Sequence, residues 1–199
     1  MRFIEELELV SFKAITNDKP GTFEAVVACF GNIDRADEVI AKGAFAEILA
    51  NKAHFPVVWA HQWSDPPIGV SIKTEETDLG LKVKGRLFIE KNQRAAEVHE
   101  AMVQGALKEW SFGAGVLKES FEERDGRQVR VLEKLDLIEF GPCLKGVNPN
   151  TYTVGLKAAE AAAVAELNTE SQESDAVPTN NGQEISTEDA HELVSALFD

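Results

Sequence analysis

Apolar positions recur with two periods along this chain, and the switches between them outline its elements. Residues 2–15 and 22–30 are rich in Phe, Val and Ile and flank Asn17-Asp18-Lys19-Pro20-Gly21, a turn signal, so they predict two strands. Leu81, Val83, Gly85 and Leu87 alternate within 79–90, which pairs with 68–73 as a hairpin-like unit. Helical spacing places Phe45, Ile48 and Leu49 on one face of 43–51, and Ala96, Val98, Met102 and Val103 on a stripe of 92–105. Phe55–Ala60 reads as a short apolar strand. Residues 111–117 and 129–140 read as strands joined around Arg124-Asp125-Gly126-Arg127. Many strands with two short helices predict a mainly β, α+β fold, a barrel or sandwich with helices packed outside. No internal repeat is visible.

Charge divides the chain. It has 199 residues and a net charge of -14, yet no Lys or Arg follows Lys157, while ten acids do. Residues 1–157 therefore predict one domain and 158–199 an acidic tail. Within the tail, 157–167 is Ala-rich and helix-prone, whereas 168–185 is too polar to bury a core. From Ser186 a pattern returns: Leu193, Val194, Leu197 and Phe198 share the face of a terminal amphipathic helix. A flexible linker before such a helix suits a tethered docking segment. The acidity argues against nucleic acid as a partner. No apolar run is long enough for a membrane span, and the start, Met-Arg-Phe-Ile-Glu-Glu, lacks a secretion signal. Cys29 and Cys143 have no metal-like spacing and read as small buried hydrophobes.

Candidate chemistry concentrates in three places. His61 ends the apolar run Val57-Val58-Trp59-Ala60 and faces the loop Ser64-Asp65-Pro66-Pro67, where an imidazole can shuttle a proton near neutrality. His54 lies across the same strand, but a zinc site would need a third ligand. His99 sits on the second predicted helix among charges, and His191 in the tail. Ser111 follows a helix ending near Gly105 and precedes Phe112-Gly113-Ala114-Gly115, small residues that let backbone amides approach a substrate. Glu109 stands where a nucleophile elbow requires glycine, which disfavours an α/β-hydrolase. Glu139 shares a strand face with Leu135 and Leu137, with Asp136, Ile138 and Phe140 opposite. A carboxylate there needs a partner, and a histidine would serve. Asp136 and His99 are alternatives to Glu139.

Together these segments resemble a known family. Phe30-Gly31-Asn32-Ile33-Asp34 with Gly43-Ala44-Phe45 is similar to the F-G-N-x-D and G-A-F pattern of tailed-phage prohead serine proteases. Val58-Trp59-Ala60-His61-Gln62 with Pro67-Ile68-Gly69 resembles the family's histidine segment, and Gly80-Leu81-Lys82-Val83-Lys84-Gly85 its G-L-x-V-x-G strand. Gly105-Ala106-Leu107 leading to Trp110-Ser111-Phe112-Gly113 resembles the nucleophile segment. Leu137-Ile138-Glu139-Phe140 followed by Asn148-Pro149 resembles the closing one. The likeness runs from about Phe23 to Thr151. Gln62, Phe112, Ala114 and Gly146-Val147 depart from the usual residues.

The resemblance implies a herpesvirus-assemblin-like β-barrel and a serine endopeptidase with Ser111, His61 and Glu139 as its triad. It implies no cofactor and no metal. The substrate would be the phage major capsid protein or a scaffold protein, cut inside the assembling prohead in the host cytoplasm, or from a prophage. A homo-oligomer is compatible with it. The competing expectation is a non-catalytic capsid assembly or scaffold module of the same fold.

Overall fold

The computed structural model of the chain describes residues 13–14 and 18–157. Most of the strand predicted over 2–15 lies outside the described residues. So does the whole tail from 158, with the linker and terminal helix predicted in it.

The described elements are β1 (Lys13–Ala14), β2 (Thr22–Cys29), β3 (Glu38–Ile40), α1 (Ala46–Asn51), β4 (Pro56–Val57), β5 (Gly69–Glu76) and β6 (Gly80–Leu87). α2 (Gln93–Val103), β7 (Glu109–Arg124), β8 (Arg127–Cys143) and β9 (Tyr152–Leu156) follow, and a 3₁₀ turn, Trp59–His61, sits after β4. The fold is mainly β with two short helices among the described residues. One sheet runs β1-β9-β2-β6-β5-β4-β8-β3, with β7 along β8.

Local chemistry explains the regular parts. In β6 the alternating Leu81, Val83 and Leu87 point into the core, and Gly85 leaves room for the Phe23 ring, which would lie 2.5 Å from an added Cβ. Phe23 in turn stacks on Trp110 with centroids 4.9 Å apart. β7 and β8 form a long antiparallel hairpin closed at Asp125-Gly126, whose φ angles of 53° and 74° suit a two-residue type I′ turn. Asn92 caps α2 by accepting the Ala95 N–H at 3.0 Å.

Several expectations change. The strand predicted over 55–60 shrinks to Pro56–Val57, because the chain turns sharply after Val58. α2 buries Ala95, Val98, His99 and Met102, not Ala96 and Val103. His99 is 3% exposed and its Nε2 meets the Lys157 carbonyl at 2.9 Å, so it is an interior residue with a backbone partner. Phe140 is buried with Glu139 rather than facing out, because β8 from Glu139 to Cys143 is enclosed on both faces.

The expected barrel is not closed. Among the described residues no backbone ladder joins β7 to β9. Threonine hydroxyls span that seam: the Trp110 N–H donates to Thr151 Oγ1 at 2.9 Å, and the Trp110 indole N–H donates to Thr153 Oγ1 at 3.0 Å. Among the described residues, the hydrogen bonds between these edges gather at Trp110, at the start of β7.

Candidate active site

Ser111, His61 and Glu139 come together from three elements. Ser111 lies near the start of β7 opposite Gly141, and Glu139 lies on β8 opposite Gly113. One extra β8 residue, Ile138, is inserted between the pairs Gly113↔Glu139 and Ala114↔Leu137, a bulge that re-aims side chains where the carboxylate stands. β4 runs parallel to β8 at Val57↔Phe140, and the Val58 N–H donates to the Phe140 carbonyl at 2.9 Å. Only glycine fits at 141, where a Cβ would lie 1.6 Å from the Val58 carbonyl oxygen. That close approach seats the histidine segment beside the serine strand.

The chain then reverses through two left-handed residues, Ala60 (φ 45°) and His61 (φ 57°). Such conformations are costly for residues other than glycine and concentrate at functional sites. Their consequence here is geometric. His61 Nε2 lies 2.8 Å from Ser111 Oγ, and His61 Nδ1 lies 2.6 Å from Glu139 Oε1. A carboxylate only accepts, so Nδ1 carries the proton and donates, leaving Nε2 to accept the Ser111 hydroxyl. The imidazole side chain is 40% exposed and Glu139 is 1% exposed, so the ring lies at the mouth of the site and the carboxylate at its floor.

This geometry sets the electrostatics. The Glu139 hydrogen bond raises the His61 pKa above its ordinary value, partial burial opposes that, and the Glu139 charge adds to it. Glu139 Oε2 has no partner among the described residues. An ionised carboxylate buried without its partner costs several kcal/mol, so His61 stabilises Glu139 as much as Glu139 orients His61.

Two residues outside the predicted set complete the surroundings. Trp63, 61% exposed, donates its backbone N–H to the His61 carbonyl at 2.9 Å. Its Cζ2 lies 2.9 Å from where a Gly113 Cβ would be, and Glu139 Oε1 lies 2.5 Å from the same point. Gly113→Ala is therefore expected to fold, because the exposed indole can swing away, yet to displace the carboxylate. Turnover should fall by about tenfold or more, as small misplacements of a catalytic group do. Peptide kinetics beside a circular-dichroism melt check this; unchanged turnover would contradict it.

The family-like motifs away from Ser111 also acquire places. Asn32 and Asn148 hydrogen bond to each other at 3.1 and 3.2 Å, and the Asn148 amide also reaches the Cys29 carbonyl at 3.3 Å. Arg35 pairs with Glu109 at 2.6 Å, and Glu109 accepts the Gly146 N–H at 2.8 Å. These links tie the 31–37 loop and the 144–150 loop to the start of β7, two residues from Ser111.

The remaining candidates lie elsewhere. His54 Nδ1 meets the Ser71 carbonyl at 2.9 Å, and Asp136 is exposed on the outer face of β8. Cys29 and Cys143 are free and buried, and burial raises both thiol pKa values. Among the described residues no cluster of three or more His, Cys, Asp or Glu could hold a metal ion, and no helix is long and apolar enough to cross a membrane. Of the residues missed by sequence reasoning, Gly141 had a signal. An isolated glycine inside a strand marks close backbone approach. Trp63 had none beyond an aromatic side chain in a polar loop.

A serine hydroxyl, an imidazole and a buried carboxylate in hydrogen-bonded series are the arrangement that serine hydrolases use. The chain belongs to the caudovirus prohead serine protease family, whose profile matches residues 6–166. It is also 31% identical over 104 residues to the prohead protease of Enterobacteria phage HK97. That alignment covers 52% of this chain and 46% of the HK97 protein, so the chain spans about half the length of that relative.

Proposed function

We propose that this chain is a serine endopeptidase that matures phage proheads. Its substrate is the scaffold region of the major capsid protein, or a separate scaffold protein, together with its own acidic tail, 158–199. Residues 1–157 form the protease domain, and the family resemblance relates that domain to the herpesvirus assemblin barrel. The observation that carries the reading is the Ser111–His61–Glu139 series at 2.8 and 2.6 Å in a chain of this family.

The chemistry follows from the geometry. His61 Nε2 takes the Ser111 proton as Oγ attacks the scissile carbonyl carbon, and backbone amides beside Ser111 hold the oxyanion. Glu139 stabilises the imidazolium without itself taking the proton. The intermediate collapses, the C–N bond breaks, and His61 Nε2–H protonates the leaving amine. Water, deprotonated by His61, then attacks the acyl-enzyme and returns Ser111. None of these steps calls on a metal or an organic cofactor. A non-catalytic assembly module would have no use for a strained turn that aims an imidazole at a serine.

The pH profile tests this. His61 accepts a proton only when neutral, and its pKa lies above the ordinary imidazole value. The acid limb of kcat/KM in the free enzyme is therefore expected above that value, with activity rising through neutrality. The same limb should govern covalent labelling of Ser111 by a phosphonate ester, read by intact mass. A limb at or below the ordinary imidazole value, or a label on another residue, would contradict the assignment.

A further inference from the structure

Trp63 is a large aromatic residue left mostly exposed in a polar loop, yet its backbone is tightly held. Its N–H donates to the His61 carbonyl at 2.9 Å, and Gln62 between them has φ -76° and ψ 77°, the geometry of an inverse γ-turn. That turn directly follows the left-handed pair Ala60 and His61. Gln62 is anchored twice more: its carbonyl accepts the Asp65 N–H at 3.1 Å, and its Oε1 accepts from Arg94 of α2 at 3.2 Å. The chain therefore doubles back, and the indole returns toward the site that His61 has just entered.

The ring comes to rest above Gly113. A Cβ there would lie 2.9 Å from Trp63 Cζ2 and 2.5 Å from Glu139 Oε1, so ring edge and carboxylate converge on space that only glycine leaves empty. Gly113 is the β7 partner of Glu139 in the ladder. Its missing side chain leaves a gap on that side of the carboxylate, and the indole occupies it. Glu139 is accordingly buried, with Oε1 on His61 Nδ1 at 2.6 Å and Oε2 lacking a partner among the described residues. A charge-assisted hydrogen bond of this length is strong where water does not compete for it.

We propose that Trp63 is a positioning residue: its indole roofs the gap at Gly113, keeps water off the Glu139 carboxylate, and so holds His61 in line with Ser111. It acts through the Nδ1–H···Oε1 bond and not on the reacting atoms. The inference rests on His61 as the base for Ser111.

The test measures solvent exchange of the His61 Nδ1–H proton by NMR, beside the rate at which diisopropyl fluorophosphate labels Ser111, followed by intact mass. Wild-type protein should show a downfield Nδ1–H signal protected from water. Trp63→Ala removes an exposed ring from a loop and should melt close to wild type. Its Nδ1–H should nevertheless exchange about tenfold or more faster, and its labelling should slow by about the same factor. Trp63→Phe keeps a flat apolar ring over Gly113 and should bring both readouts to within about threefold of wild type. The reagent carries no peptide, so an indole that served only to contact substrate would leave both unchanged. Unchanged exchange in Trp63→Ala, or a wild-type protein without a protected Nδ1–H signal, overturns the positioning role and leaves Ser111 as nucleophile. Should Trp63→Ala not fold, Trp63→Gln, which keeps bulk but admits water, decides in the same way. Failure of the reagent to label wild-type Ser111 removes the nucleophile reading instead, and the exchange rates still decide whether Trp63 shields the bond.

Discussion

Ser111→Ala should stop peptide cleavage and leave the melting temperature within a degree or two of wild type, on the order of what surface substitutions do. The serine is half-buried on β7, and the partner of its hydroxyl is His61, whose ring is largely held by Glu139. Removing Oγ therefore strands no buried polar atom and opens no core cavity. The chemistry has no substitute, because the oxygen that forms the acyl-enzyme is gone. Rates should fall by roughly 10⁴-fold or more, since loss of one triad member costs about as much as loss of the whole unit. Cleavage by a folded Ser111→Ala protein at a normal rate would show that the nucleophile lies elsewhere.

Glu139→Gln is the second large effect, and its two readouts should move apart. Glutamine keeps the shape and can still occupy the floor of the site, but its amide offers His61 Nδ1 a donor as readily as an acceptor. The imidazole then loses its fixed tautomer and the support of its protonated form. Turnover should fall by about a hundredfold or more, toward the loss of about 10⁴ known for the same change in a serine protease triad. Stability should not fall with it. Glu139 is buried with one oxygen lacking a partner among the described residues, so a neutral group relieves a desolvation cost. The pH limb should also move down, because the Glu139 hydrogen bond is the first cause of the raised His61 pKa. Thermal melts and a pH profile on the same preparation read all three. Wild-type turnover in Glu139→Gln would remove the carboxylate from the mechanism.

How far the sequence discloses this arrangement depends on whether the governing contact is local. The hairpin of β5 and β6 was legible because alternation in Leu81, Val83 and Leu87 records a one-sided core. The long β7–β8 hairpin was legible at its turn, where Asp125-Gly126 suits two positive φ angles, but not over 118–124, where neither face is buried. Glu139 stood out because a carboxylate among leucines needs a partner, and His61 is that partner in space. His99 misled because its sequence neighbours are charged, whereas its environment comes from Lys157, 58 residues away.

Three features had no local signature at all. The left-handed turn at Ala60 and His61 uses residues that ordinarily avoid it, so it follows from packing of β4 against Gly141, not from propensity. β9 and the open seam depend on which edges meet after the chain has closed on itself, and the hydroxyls of Thr151 and Thr153 occupy the gap in place of a ladder. Trp63 looked like any loop aromatic until Gly113 left the slot its ring approaches.

The central claim is that Ser111 makes this chain a processing enzyme in the assembling particle. Intact-mass spectrometry of proheads assembled with wild-type chain or with Ser111→Ala tests it most directly. Wild-type particles should contain a shortened capsid or scaffold protein and an enzyme chain lacking part of 158–199, while Ser111→Ala particles should retain every one of these at full length. Identical masses in the two preparations, whether all cut or all intact, would contradict it.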